Sequence, residues 1–168
     1  MNILVVYSSK TGNTKKIAEA IFDILPGNKE IYPVDKAPSP DKYDFIALGF
    51  WVNRGKPDQS AREFMEKIKG KNVGIFATIG AYPTSKHARE ALYAARDILK
   101  ENNILGEFIC QGKINPKVLE RMPRDKIHEM NSYRKQMIEE GKKHPNETDC
   151  LYAQAAFKDM IEELVLPG

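Results

Sequence analysis

Cysteine, histidine and tryptophan are scarce in this chain: two, three and one among 168 residues. Cys110 and Cys150 stand far apart, with no Cys-x-x-Cys pair and no histidine cluster. That spacing argues against a metal site or a disulfide framework and leaves both as structural thiols. No apolar run approaches the roughly 18 residues of a membrane span, so no membrane partner is expected. The first apolar run opens at Ile3, which leaves no room for a charged leader and cleavage site, and a cytoplasmic protein is the expectation. Charge of one sign is lacking too. Lys and Arg number 26 against 23 Asp and Glu, a net charge of +3. The basic residues are interspersed with acids and no recognition motif appears, so no nucleic-acid partner is expected. Glycine-rich fingerprints are also missing: neither Gly-x-Gly-x-x-Gly nor Gly-x-x-x-x-Gly-Lys-Ser/Thr occurs, which removes the usual dinucleotide and triphosphate loops.

What is there is ordinary in bulk and specific in pattern. Apolar content is 42% and charged content 29%, and the length suits one domain over 1–168 with a real core. Short apolar runs alternate with amphipathic stretches about five times. Ile3–Tyr7, Glu30–Val34, Phe45–Val52, Val73–Ile79 and Leu105–Cys110 read as strands. Ile17, Ala18, Ile21, Ile24 and Leu25 form the apolar face of a first helix. Phe64, Met65 and Ile68 mark a second helix, and Ala88, Ala91, Leu92, Ala95 and Leu99 a third. Leu151, Ala155, Met160, Ile161 and Leu164 mark a closing one. The alternation predicts a three-layer α/β/α sandwich around a five-stranded parallel sheet. Pro33 would cost a ladder bond in a sheet interior, so the second strand belongs at an edge. That suits the order 2-1-3-4-5, with a switch point beside the first strand's carboxyl end.

The segment Ser8-Ser9-Lys10-Thr11-Gly12-Asn13-Thr14 joins that first strand to its helix. Backbone N–H groups at the positive end of a helix dipole make an anion site. Ser, Thr and Asn there are also ordinary helix caps. Four hydroxyls and an Asn exceed what one cap uses, and all are short, so the loop suits one terminal phosphomonoester. Two further loops should meet it: Phe50-Trp51-Val52-Asn53-Arg54-Gly55-Lys56 and Thr78-Ile79-Gly80-Ala81-Tyr82-Pro83. The only tryptophan lies on one and a tyrosine on the other, which suggests a planar ring held by stacking.

Val5 to Ile21, VVYSSKTGNTKKIAEAI, matches the flavodoxin signature at its constrained positions: the aromatic ending the strand, the Ser two places on, and Gly-x-Thr at the helix start. GFW and TIGAYP are similar to the two flavin-covering loops of the flavodoxin-like family, and CQGKI and HPNETD resemble a single-domain branch of it. The resemblance implies a noncovalently bound FMN. Ser9, Lys10, Thr11, Gly12, Asn13 and Thr14 would hold its phosphate, and Trp51 and Tyr82 would border the isoalloxazine. Backbone of Phe50, Trp51, Val52, Asn53, Arg54 and Gly55, and of Thr78, Ile79, Gly80, Ala81 and Tyr82, would bond the polar edge of the ring. No residue receives a catalytic or metal-binding role; His87 and His128 have no recognisable partner.

Two departures from a typical flavodoxin stand out. The chain is basic, and a helical excursion at about 112–146 follows the fifth strand. Val118 and Leu119 suggest a short helix there, and Ile127, Met130, Tyr133, Arg134 and Met137 one longer amphipathic helix. The excursion carries an excess of Lys and Arg, either a solvated cover for the sheet or a basic platform for a partner. Arg54, Lys56, Lys10 and Lys86 near the ring would make its reduced anionic form easier to reach than in an acidic flavodoxin. The expected function is an electron shuttle serving a reductase, one acting on a tetrapyrrole such as bilirubin being an example. The alternative is an FMN-dependent oxidoreductase acting directly on a quinone or a porphyrinogen.

Overall fold

The computed structural model of the chain describes residues 1–128 and 130–166, with the side chains of Ile127 and His128 outside the described set. In order the elements are β1 (Asn2–Tyr7), α1 (Asn13–Ile24), β2 (Asn28–Pro33), β3 (Phe45–Asn53), β4 (Lys56–Pro57), α2 (Gln59–Met65) and β5 (Asn72–Ile79). There follow α3 (Lys86–Ile98), β6 (Asn103–Gln111), α4 (Pro116–Glu120), α5 (Arg124–His128), α6 (Ser132–Gly141) and α7 (Glu147–Val165). The five long strands are parallel in the order β2-β1-β3-β5-β6. This is the expected 2-1-3-4-5, with Pro33 ending the edge strand opposite Tyr7.

Alternation along each strand feeds two cores. Leu4 and Val6 of β1 face a cluster with Phe64 and Met65 of α2 and Ala91 and Ala95 of α3. Ile3 and Val5 face the other way, onto Ile17, Ala18 and Ile21 of α1 and Phe157 of α7. Both faces of the sheet are therefore covered by helices, as buried parallel strands require.

Four details differ from the sequence expectation. Ile24 is 39% exposed, because Leu25, one residue further round, completes the apolar face of α1. On α7, Leu151 is 59% exposed and Ala155 is also outside the core. Met160 and Ile161 are buried as expected, and Ala153 and Phe157 complete the buried face. Phe157 meets Phe45 and Phe76 edge-on, at centroid distances of 6.3 and 5.8 Å. Space for its ring comes from Gly74, where a Cβ would lie 2.6 Å from Phe157 Cε1. Third, a single helix through 127–137 does not form. Asn131 caps α6, its side chain accepting from the Arg134 N–H at 2.9 Å, so the chain breaks between α5 and α6. Fourth, the sheet gains the short strand β4.

Candidate functional site

The site is assembled at the carboxyl ends of β1, β3, β5 and β6. As β1 ends, the Ser8 N–H donates to the Gly49 carbonyl at 2.9 Å. Its hydroxyl donates to Asp58 Oδ2 at 2.5 Å, so this buried side chain turns away from the loop that follows. Gly12 takes the left-handed conformation at φ 94 and stands as the N-cap of α1 with no capping side chain. The Ser9 hydroxyl accepts from the Gly12 and Lys15 N–H groups at 3.1 and 3.2 Å. Among the described residues the N–H groups of Thr11, Asn13 and Thr14 find no protein acceptor. No acid lies in the first turn of α1. Unclaimed donors at the positive end of a 12-residue helix fit an anion.

Not every hydroxyl of the loop serves that end. Thr14 Oγ1 is buried and lies 2.8 Å from Thr78 Oγ1, a bond that ties the loop to β5. With Ser8 committed to Asp58, only Ser9 and Thr11 keep hydroxyls toward the loop's interior. The Asn13 side-chain amide donates to the Lys113 carbonyl at 2.9 Å. It thereby joins the loop to the start of the excursion.

The second wall is not a loop. Phe50 to Asn53 continue β3 in register with β5 as far as Trp51 opposite Thr78. Val52 and Asn53 then pair antiparallel with Pro57 and Lys56. Arg54 and Gly55 turn the ribbon with φ 52 and 76, the paired left-handed residues of a two-residue hairpin. Asp58 locks the base of this ribbon. Its N–H donates to the Trp51 carbonyl at 3.1 Å, and its Oδ1 accepts from the Trp51 N–H at 3.2 Å. Its Oδ2 also caps α2 through the Ala61 N–H at 3.2 Å. Both polar backbone groups of Trp51 are thus bonded to Asp58. The Phe50 side chain is fully buried in the core. Burial pushes the Asp58 carboxyl above the usual range, although bonds from Ser8, Ala61 and Trp51 pull the other way.

Ser9, Lys10, Thr11, Asn13, Thr14, Trp51, Val52, Thr78, Ile79 and Gly80 line one cleft of about 230 Å³. The Lys10 ammonium lies 5.5 Å from the centroid of the Trp51 ring. Of the other expected residues, Gly12 shapes the loop, while Phe50, Asn53, Arg54, Gly55, Ala81 and Tyr82 do not line the cleft. Tyr82 instead meets Tyr133 of the excursion edge-on, with centroids 5.6 Å apart.

The start of the excursion makes a fourth wall: Lys113, Ile114, Asn115 and Val118 complete the cleft. Gly112, directly after β6, is the signal for it, because the switch-point rule places every loop after a strand's carboxyl end. This wall is anchored from behind. The buried Gln111 amide donates to the Gly80 and Met137 carbonyls at 3.1 and 2.8 Å. The Lys113 N–H donates to the His144 carbonyl at 3.0 Å. The His144 ring lies between two carboxylates, Nδ1 at 2.6 Å from Asp149 and Nε2 at 3.0 Å from Glu140.

Charge about the cleft is basic, with one counterweight. Glu90 pairs with Lys86 at 3.6 Å and faces the His87 ring at 3.3 Å. A Cβ on Gly55 would meet Glu90 Oε2 and His87 Nδ1, each at 2.9 Å. Lys86 is therefore balanced by an acid that lies against the Arg54–Gly55 turn.

A model of the flavodoxin domain matches residues 4–158. The flavodoxin-like domain-containing protein BilS of Clostridioides difficile (strain CD3) is 35% identical over 173 residues, covering 96% of this chain and 97% of that protein. The flavodoxin of Fusobacterium nucleatum bound to flavin mononucleotide superposes with a TM-score of 0.60 at 12% identity, covering 96% of this chain and 98% of that one. Oxidised Flavodoxin 2 from Bacillus cereus gives a TM-score of 0.64 at 18% identity, covering 97% and 99%.

Proposed function

This chain belongs to the flavodoxin domain family, and from that premise we propose that it is an electron shuttle serving a cytoplasmic reductase. The family's cofactor is FMN, and the donor set at the start of α1 suits it. The hydroxyls of Ser9 and Thr11 and the free N–H groups of Thr11, Asn13 and Thr14 would hold the phosphate, with Lys10 adding charge. Trp51 would supply an aromatic wall, with Thr78 to Gly80 and Lys113 to Asn115 closing the far sides. Bound there, FMN supplies one- and two-electron redox chemistry. The protein's part is to orient the ring, keep water from its faces and set the charge around it.

One observation favours a carrier over a free-standing enzyme. The described residues lining the cleft include no histidine, cysteine, aspartate or glutamate. A carrier needs no general acid or base, whereas reduction of an organic substrate usually needs a positioned proton donor. The second reading, direct action on a quinone or porphyrinogen, draws on the partly apolar wall of Ile114 and Val118. On the carrier reading, a reductase acting on a tetrapyrrole such as bilirubin is the partner class that the single-domain branch brings forward.

The test is spectroscopic. The purified protein should be yellow, keep its colour with NAD(P)H alone, and bleach when a flavodoxin reductase is added. Rapid bleaching by NAD(P)H alone would contradict the carrier reading in favour of the enzyme.

A further inference from the structure

We propose that the rim of the cleft, from the β3–β4 ribbon across to α4 and α5, is a docking face for an acidic protein. This rests on the cleft being the point of electron exchange, since a partner must then approach that opening.

The charges carry the inference. Arg54 and Lys56 are exposed on the ribbon, with Lys10 beside them. Lys117, Arg121, Arg124 and Lys126 are exposed on the excursion, against Glu120 and Asp125. Among the described residues none of these cations has a carboxylate within 4.0 Å. Other exposed cations, Lys36, Lys67 and Lys100 among them, also lack a partner among the described residues, but those of the rim gather about one opening: Lys10 and Lys113 line the cleft, and Lys117 adjoins Val118, which lines it too. Unpaired cations on both sides of one opening set up a local field that attracts a carboxylate-bearing surface.

The middle of the rim has the complementary chemistry. Val118 lines the cleft and is 51% exposed, and on α6 of the same excursion Tyr133, packed on Tyr82, is 62% exposed away from the cleft lining. Apolar and aromatic groups at the centre with charges around them are how transient protein interfaces are built. The excursion thus does two things at once, closing the cleft with Lys113, Ile114, Asn115 and Val118 and extending its basic rim. A partner's carboxylates would settle on Lys117, Arg121 and Arg124, while its apolar centre covers Val118.

The experiment uses the FMN-loaded protein, photoreduced and mixed by stopped flow with two haem proteins, acidic cytochrome b5 and basic cytochrome c. Attraction predicts that cytochrome b5 is reduced faster at low salt, its rate falling about tenfold between low and physiological ionic strength. The rate with cytochrome c should stay flat or rise. Charge reversal in K117E/R121E/R124E should invert the preference with the flavin spectrum unchanged. The milder K117Q/R121Q, which risks the fold less, should weaken it. Preference for cytochrome c at low salt, or indifference of cytochrome b5 to both variants, overturns the proposal. Salt-dependent reduction of ferricyanide without any preference for cytochrome b5 overturns it too, since the face would then serve small anions. Calorimetric titration of the flavin-free chain with cytochrome b5 reads docking separately, so a failure of FMN uptake is not mistaken for a failure to dock.

Discussion

Asp58 is the residue on which the most contacts about the cleft converge. One oxygen accepts from the Trp51 N–H and the other from both Ser8 and Ala61. An asparagine in its place would remove a charge that burial disfavours, so charge alone argues for a more stable variant. Donor counting argues the reverse. An amide has one accepting oxygen, so its NH2 would face a backbone N–H whichever way it turned. A buried donor left without an acceptor costs about 1–3 kcal/mol. Asp58→Asn is therefore expected to destabilise the protein by about 2 kcal/mol in urea unfolding, with Trp51 fluorescence reporting the loosened wall. A neutral or stabilising result would mean that burial of the charge dominates. No role for Asp58 is legible in the sequence, because its partners lie at separations of 50, 7 and 3 residues, and only the last is a local pattern. Ser9, Thr11 and Gly12 were legible for the opposite reason, since a strand, a short polar loop and a helix start are consecutive in the chain.

At the scale of elements, the sequence showed where strands and helices lie better than which face each one buries. Phe157 is the clearest case. The expected face of α7 ran through Leu151 and Ala155, whereas the sheet selects Phe157, which is fully buried against Phe45 and Phe76. Glycine at 74 makes that choice, and it is separated from Phe157 by about half of the chain. Truncation in Phe157→Ala should cost about 3–5 kcal/mol by denaturant titration, while Leu151→Ala should change stability by less than about 0.5 kcal/mol. The ribbon of β3 and β4 escaped notice because Arg54, not Asn or Asp, precedes Gly55 in its turn.

The excursion supplies an element-scale prediction in pH. Burial disfavours the His144 imidazolium, but bonds to Asp149 and Glu140 outweigh that and raise its pKa above the ordinary 6.5. Those two carboxylates, on α6 and α7, with Asn146 at 3.5 Å, are the groups that face the ring. A raised folded-state value means that the stabilisation is fully present below about pH 6.5 and is lost as pH rises through the higher folded value. His144→Gln should thus lower the unfolding midpoint most near pH 6, and the gap to the parent should narrow toward pH 9. A gap that stays constant or widens with pH would show that the ring acts as a neutral hydrogen-bonding group.

For the molecule as a whole, the layered fold and strand order followed from hydrophobic period and from Pro33 at an edge. Both are local signals, and the right-handed crossover rule does the rest. The cleft was half legible. Its phosphate end lies within one continuous stretch, but its fourth wall comes from a segment whose position depends on Gln111, Asn13 and His144 reaching across the fold. The basic rim could be counted in the sequence, yet its placement on both sides of one opening required the topology.

The central claim is that the start of α1 holds the phosphate of FMN. Titrating the flavin-free protein with FMN and with riboflavin, followed by quenching of flavin fluorescence, tests it most directly. The two ligands share the ring and differ in the phosphate. Several charge-assisted bonds to that group, each worth about 1.5–3 kcal/mol, predict one FMN per chain and riboflavin binding weaker by about a hundredfold or more. Equal affinities for the two, or no uptake of FMN, would contradict the account.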